Sequence, residues 1–191
     1  MFEIKYEIFE DDIAEIQGMD IHTFINEYNQ IYGCFTLIIN GIEYLPYPST
    51  EMRLETKRIY SELILTHFEF LIDAYSELQM NNYVALKYIE NPWTWLEFIR
   101  KENELLVSKL NNDISVNIDS PLQTNIELFG NAKKEGIINE MLLWNDFETE
   151  LKIKTKELLS KITTVNCHIL KAKCFDRIQQ FTNDSLNGNV C

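Results

Sequence analysis

The chain has 191 residues, 46% of them hydrophobic and 25% charged, with 30 acids against 17 bases and a formal net charge of −13. Eleven Phe, nine Tyr and three Trp exclude a disordered chain, because burying that much apolar surface offsets chain entropy. No apolar run reaches the roughly 18 residues of a membrane-spanning helix, and an acid excess without a basic stripe argues against nucleic acid or anionic membrane as a partner.

The charge is unevenly spread. Residues 1–50 hold nine acids (Glu3, Glu7, Glu10, Asp11, Asp12, Glu15, Asp20, Glu27 and Glu43) against one base, Lys5. The remaining 141 residues hold 21 acids and 16 bases. A one-sided field of this kind speaks to partners and encounter rates, not to fold.

The opening, Phe2 to Ile8, alternates apolar and charged residues and predicts a strand with one buried face. It has no basic segment followed by an apolar stretch, so a cytoplasmic location is the expectation. Asp11 to Gln17 is either a short helical turn or a loop. Asp20 reads as the N-cap of a helix carrying Ile21, Phe24, Ile25 and Tyr28, with Gly33 ending it. Cys34 to Ile39 and Ile42 to Leu45 are strands joined by Asn40-Gly41, the strongest short hairpin signal, since a type I′ turn needs positive φ at both positions. Pro46 and Pro48 end the pairing.

A long helix is expected over Ile59 to Leu78, apolar nearly all round and therefore covered on more than one side. Tyr83 to Glu90 reads as a strand, punctuated by Asn91-Pro92. Trp95 to Arg100 and Leu105 to Leu110 suit a hairpin across Lys101–Glu104, with one continuous helix as the rival. Trp93 and Trp95, two apart, would share a strand face, read as core packing with an interface hot spot as the alternative. Asn111 to Thr124 is polar and loop-like, with a short strand possible at Ile114–Ile118. Ile126–Phe129 and Ile137–Leu143 are further strand candidates. A helix capped by Asn145 or Asp146 then carries Phe147, Leu151, Leu158, Leu159, Ile162 and Ile169 at helical spacing, with Trp144 as a hydrophobic staple before it. The β-branched run Ile162–Val165 is a candidate break before a last helix from Cys167 to Phe181. Residues 182–191 read as a frayed tail. Absent repeats or a low-complexity linker, one domain over 1–191 is expected.

Chemical signatures are few. The three histidines, His22, His67 and His168, stand in no metal-binding spacing, and no phosphate-binding glycine cluster or nucleophile elbow occurs. No cofactor and no metal is expected. His67, inside an apolar helix, reads as a hydrogen-bonded core histidine. The four cysteines read as reduced thiols, Cys34 as a small buried one. Glu10, Asp11, Asp12, Glu15 and Asp20 lack the ligand spacing of a calcium loop. They read either as a solvated acidic turn or as a contact face for a basic partner.

Phe2-Glu3-Ile4-Lys5-Tyr6-Glu7-Ile8, the hairpin Cys34 to Leu45, Asn91-Pro92-Trp93-Thr94-Trp95-Leu96, and Leu143-Trp144-Asn145-Asp146-Phe147-Glu148 opening a helix together resemble the layout of bacterial immunity proteins. These are small cytoplasmic partners that neutralise polymorphic or contact-delivered toxins. The matching stretches cover under a third of the chain, and none is a binding motif of that family. The resemblance implies a non-enzymatic α+β protein whose partner is a toxin domain, often a basic nuclease.

The expectation is therefore a single α+β domain with a mainly antiparallel sheet, a long central helix and C-terminal helices packed against it. Its expected function is toxin inhibition by occlusion, with Glu10, Asp11, Asp12, Glu15 and Asp20 as the partner-binding residues. Two other readings stand beside it. One is a small hydrolase using His67 with carboxylates such as Glu69 or Asp73. The other is a structural subunit of a larger assembly, which a broad exposed apolar patch would indicate.

Overall fold

The computed structural model of the protein describes residues 1–89, 91, 93–112 and 120–187. The architecture is α+β with antiparallel sheets. Contacts gather the chain into two compact units, each assembled from three stretches. The first holds Met1–Glu3, Leu37–Tyr44 and Asp73–Thr149, and the second Ile4–Thr36, Leu45–Ile72 and Glu150–Cys191.

Strand β1 (Phe2–Ile8) leads into helix α1 (Glu10–Gln17). Asp20 caps the short α2 (Ile21–Thr23), which runs on as a π-helical turn, Phe24–Tyr28. Strand β2 (Tyr32–Ile39) and β3 (Ile42–Glu43) follow, joined by Asn40 at φ 50° and Gly41 at φ 85°, the two positive values a type I′ turn demands. Helix α3 (Leu54–Lys57) passes into a 3-10 turn at Arg58–Tyr60, then β4 (Glu62–Leu63) and helix α4 (Ile64–Leu78). Strands β5 (Tyr83–Lys87), β6 (Thr94–Lys101) and β7 (Glu104–Asn111) come next, then β8 (Leu122–Gln123), β9 (Lys133–Lys134) and β10 (Glu140–Leu143). Helix α5 (Trp144–Asn166), two 3-10 turns and helix α6 (Asp176–Asn187) close the chain.

One sheet orders β1-β2-β3, with β4 also on β2; the other orders β10-β7-β6-β5-β8, with β9 on β7. In the first unit, Phe147 of α5 sets its ring 5.0 Å from Phe2 and 5.6 Å from Phe98, so the start of α5 is packed on strands. Tyr75 of α4 stacks on Trp144 at 5.3 Å, and Arg100 lies 3.8 Å over the Trp144 ring. In the second unit Phe68 of α4 meets Tyr6 of β1 and Phe35 of β2 edge-on. Phe175 stacks on Phe24 at 6.0 Å.

Several elements differ from the sequence reading. The long helix begins at Ile64, not Ile59, because Glu62 and Leu63 pair with Gly33 and Tyr32 of β2. Ile59 is left 79% exposed. The new helix start is capped from a distance: Leu65 donates its N–H to the Gln30 side chain and Ile64 to the Ile31 carbonyl, both 2.9 Å. Gly33 does not end a helix; Asn29 does, in the left-handed conformation at φ 46°. Helix α5 opens at Trp144, whose N–H bonds the Asn103 carbonyl, so Asn145 and Asp146 lie in its first turn. Its β-branched run does not break it; Thr163 and Thr164 satisfy their hydroxyls on the carbonyls of Leu159 and Ser160 one turn back.

Ile126–Phe129 is a 3-10 turn capped by the Asn125 side chain, and its Phe129 packs 4.9 Å from Trp95. A four-residue apolar run carries no period that separates the two conformations. Cys167 and His168 form a turn, Ile169–Lys171 and Lys173–Phe175 are short 3-10 turns, and α6 then runs through Asn187, into the stretch expected to fray. Trp95 is 2% exposed, whereas Trp93 precedes β6 and is 43% exposed, so only the former is core. The possible strand at 114–118 and residues 188–191 lie outside the described residues.

Candidate functional site

From Glu10 to Tyr28 the chain holds six acids and neither lysine nor arginine. Glu10, Asp11 and Asp12 occupy the first turn of α1, where negative charge complements the helix dipole. The cation that Asp11 and Asp12 meet is Arg58, delivered by the 3-10 turn after α3. Its guanidinium pairs with Asp11, lies 3.3 Å from Asp12 Oδ1 and covers the Phe9 ring at 4.9 Å. Lys57, beside it, bonds Glu7 at 2.7 Å. Further along, Tyr28 donates its hydroxyl to Glu15 at 3.1 Å. Asp20 accepts from the backbone N–H groups of His22 and Thr23 and from the Thr23 hydroxyl. Glu10 stays exposed.

These surroundings set the proton affinities. The hydrogen bond from Arg58 holds the Asp11 carboxyl below its usual range. Burial pushes Asp12 up, against the pull of Arg58 and with the push of Asp11 and Glu15. Its Oδ2 is buried without a hydrogen-bond partner. Asp20 is held down by its bonds from Thr23. Two neighbouring carboxylates thus respond oppositely to acid. Asp11, with a depressed folded value, contributes stability at neutral pH that is lost as pH falls through that value. Asp12, with a raised one, is relieved by protonation as pH falls. Carbon-13 titration of the side-chain carboxyls should find Asp11 ionising below Asp12. In Arg58→Met both should move upward; an unmoved Asp11 would show that the pair does not form in solution.

The five predicted contact residues therefore all fall between α1 and the cap of α2, in the second unit. Asp11, Asp12, Glu15 and Asp20 each already hold a side chain or backbone group of the same unit. Arg58 and the Tyr28 hydroxyl were missed at the sequence level. Arg58 lies 46 residues from Asp12 and carries no local signal of its destination.

His67 sets Nε2 2.8 Å from Glu62 Oε2, both side chains nearly buried, and its ring stacks on Phe35 at 4.3 Å. Cys34 is fully buried, and burial pushes its thiol up to about 11, which suits packing rather than nucleophilic attack at neutral pH. Cys34, Cys167 and Cys174 are all free thiols. A groove of about 490 Å³ runs along α5, lined by Ile153, Lys156, Glu157, Ser160, Lys161 and Thr164. It holds no histidine or cysteine among its described lining residues. Among the described residues no group of three His, Cys, Asp or Glu is placed to hold a metal ion, and no helix is long and apolar enough to cross a membrane. Comparison with protein-family models, curated proteins and solved structures finds no match.

Proposed function

We propose that this chain is a non-enzymatic acidic binding protein that acts in the bacterial cytoplasm as an immunity protein, neutralising a cognate basic toxin domain by occlusion. The observation that carries the reading is the stretch Glu10 to Tyr28, with six acids and no lysine or arginine, folded onto the surface of α1 and α2 with Arg58 as its bound cation. Carboxylates held in fixed positions speed encounter with a cation-rich surface and set its orientation. The hydrogen bonds to Glu15 and Asp20 fix those side chains without cancelling their charge. The π-helical turn at Phe24–Tyr28, with its exposed Ile25, adds an irregular, partly apolar element to the same stretch.

The test begins with a pull-down from the source cells and inspection of the neighbouring gene for a large toxin-like product. Association of the recovered partner is then followed by stopped flow across a salt series. The triple variant Glu10→Lys, Asp11→Lys, Glu15→Lys should associate about tenfold more slowly at low salt and lose most of its salt dependence. Unchanged kinetics across the series would count against the reading.

A further inference from the structure

One face of the six-stranded sheet in the first unit is only half covered. Directly paired residues of antiparallel strands project to the same side. Ile99, Leu106 and Met141 therefore form one apolar row across β6, β7 and β10. Leu143, two residues further along β10, stands on the same face. Deeper on this face Tyr83, Ala85, Trp95 and Leu110 are closed over by Phe129. Next to them Lys134 bonds Glu97 at 2.6 Å and Asn139 at 2.8 Å. The cover thins from there: Ile99, packed against that cluster, and Leu106 are half-buried. Met141 and Leu143 are each 57% exposed and Ile138 just before the strand 52%, while Leu142, facing the other way, is 2% exposed. Leu142 alone thus gives β10 its core contact, and folding does not require Met141 and Leu143 to be apolar. An exposed apolar row on a sheet face marks an interaction site.

Charge selects its occupant. The first unit contains fifteen acids and six bases, against fifteen and eleven in the second. Three of those six bases are turned inward on their own unit. Arg100 covers Trp144 and donates to the Leu78 carbonyl, Lys109 donates to the Tyr44 carbonyl, and Lys134 holds Glu97. A second copy of the chain would bring the same negative field against it. Extension of the sheet at the edge of β10 is obstructed too, because the Asn40 side chain donates to the Met141 carbonyl at 3.1 Å and to Glu140 at 2.9 Å. We infer that the open face formed by Ile99, Leu106, Met141 and Leu143 docks a cationic protein segment that presents apolar side chains. The inference rests on the reading of the chain as a partner-binding protein, and it puts the apolar anchor in the first unit, whereas Glu10–Asp20 belong to the second.

The probe is a synthetic twelve-residue peptide of alternating lysine and valine, with a glutamate–valine peptide as control. Amide NMR shifts of the full-length protein should move in β6, β7 and β10 with the first peptide and not with the second. The double variant Met141→Ser, Leu143→Ser should melt with the wild type yet bind at least tenfold more weakly. Equal binding by that variant, or no binding of either peptide, overturns the inference. Shifts confined to Glu10–Asp20 end it while leaving the proposed function standing. A wild-type dimer that the double variant abolishes would make a second copy the occupant and would also overturn it. Binding at the sheet face that is unaffected by reversing charge on α1 supports the inference.

Discussion

Phe147→Ala should lose about 4 kcal/mol of stability, in the middle of the range for a buried aromatic cut to a methyl group. Phe147 is fully buried and holds four rings around it: Phe2 at 5.0 Å, Phe98 at 5.6 Å, Trp144 at 5.8 Å and Tyr75 at 6.4 Å. These rings come from β1, β6, the first turn of α5 and α4. Truncation leaves a cavity that four stiff neighbours cannot collapse into, and the aromatic pairings are lost with it. With an unfolding slope of roughly 2 kcal/mol/M, the urea midpoint should fall by about 2 M. Phe147→Leu, which fills much of the same volume, should cost about 1.5 kcal/mol. An alanine variant within about 1 kcal/mol of the wild type would show that this ring cluster does not organise the first unit.

Gly33→Ala is expected to be nearly as damaging, at about 3 kcal/mol, although it adds only one carbon. A Cβ at Gly33 would lie 2.1 Å from the Glu7 carbonyl oxygen and 3.0 Å from both Glu7 C and Ile8 Cα. All three are backbone atoms, so no side chain can swing aside. The strands must part instead. Loss should therefore appear first at the hydrogen bonds flanking the contact, from Phe9 N to the Tyr32 carbonyl and in the Gly33–Glu62 pairing of β2 with β4. Hydrogen exchange at Phe9 and chemical denaturation together read this out. Gly18→Ala is the control. No atom lies within 4 Å of a Cβ there, and the change should be neutral or stabilising by roughly 0.5 kcal/mol. Equal stability of the two variants would refute the close approach.

Gly33 also marks a limit of sequence reading. A glycine after a helical stripe reads as a helix stop, yet here the missing side chain makes room for the backbone of β1. The stop itself was supplied by Asn29, four residues earlier. Ile59 is a second case. Its spacing with Leu63 fits a helical stripe, but the β2–β4 pairing claims Glu62 and Leu63 and leaves Ile59 in solvent. The candidate site shows the same limit in its charges. Nine acids against one base in residues 1–50 look like a single field along the chain. Folding takes Glu3 and Glu43 into the first unit and brings Lys57 and Arg58 to Glu7, Asp11 and Asp12 in the second. The first unit, in which only two of those nine acids lie, has the larger acid excess.

What the sequence by itself determined is whatever neighbouring residues can impose on one another. The alternation of Phe2–Ile8 made β1, Asn40-Gly41 made the β2–β3 turn, Asp20 capped α2, and helical spacing from Phe147 onward made α5. Each depends on periodicity, a backbone angle or a hydrogen bond spanning a few residues. Only the tertiary structure decided where α4 begins, why Gly33 must lack a side chain, which carboxylates hold Arg58, and that Met141 and Leu143 remain uncovered. Those outcomes depend on groups brought together from distant parts of the chain, and no local pattern records which distant partner will arrive.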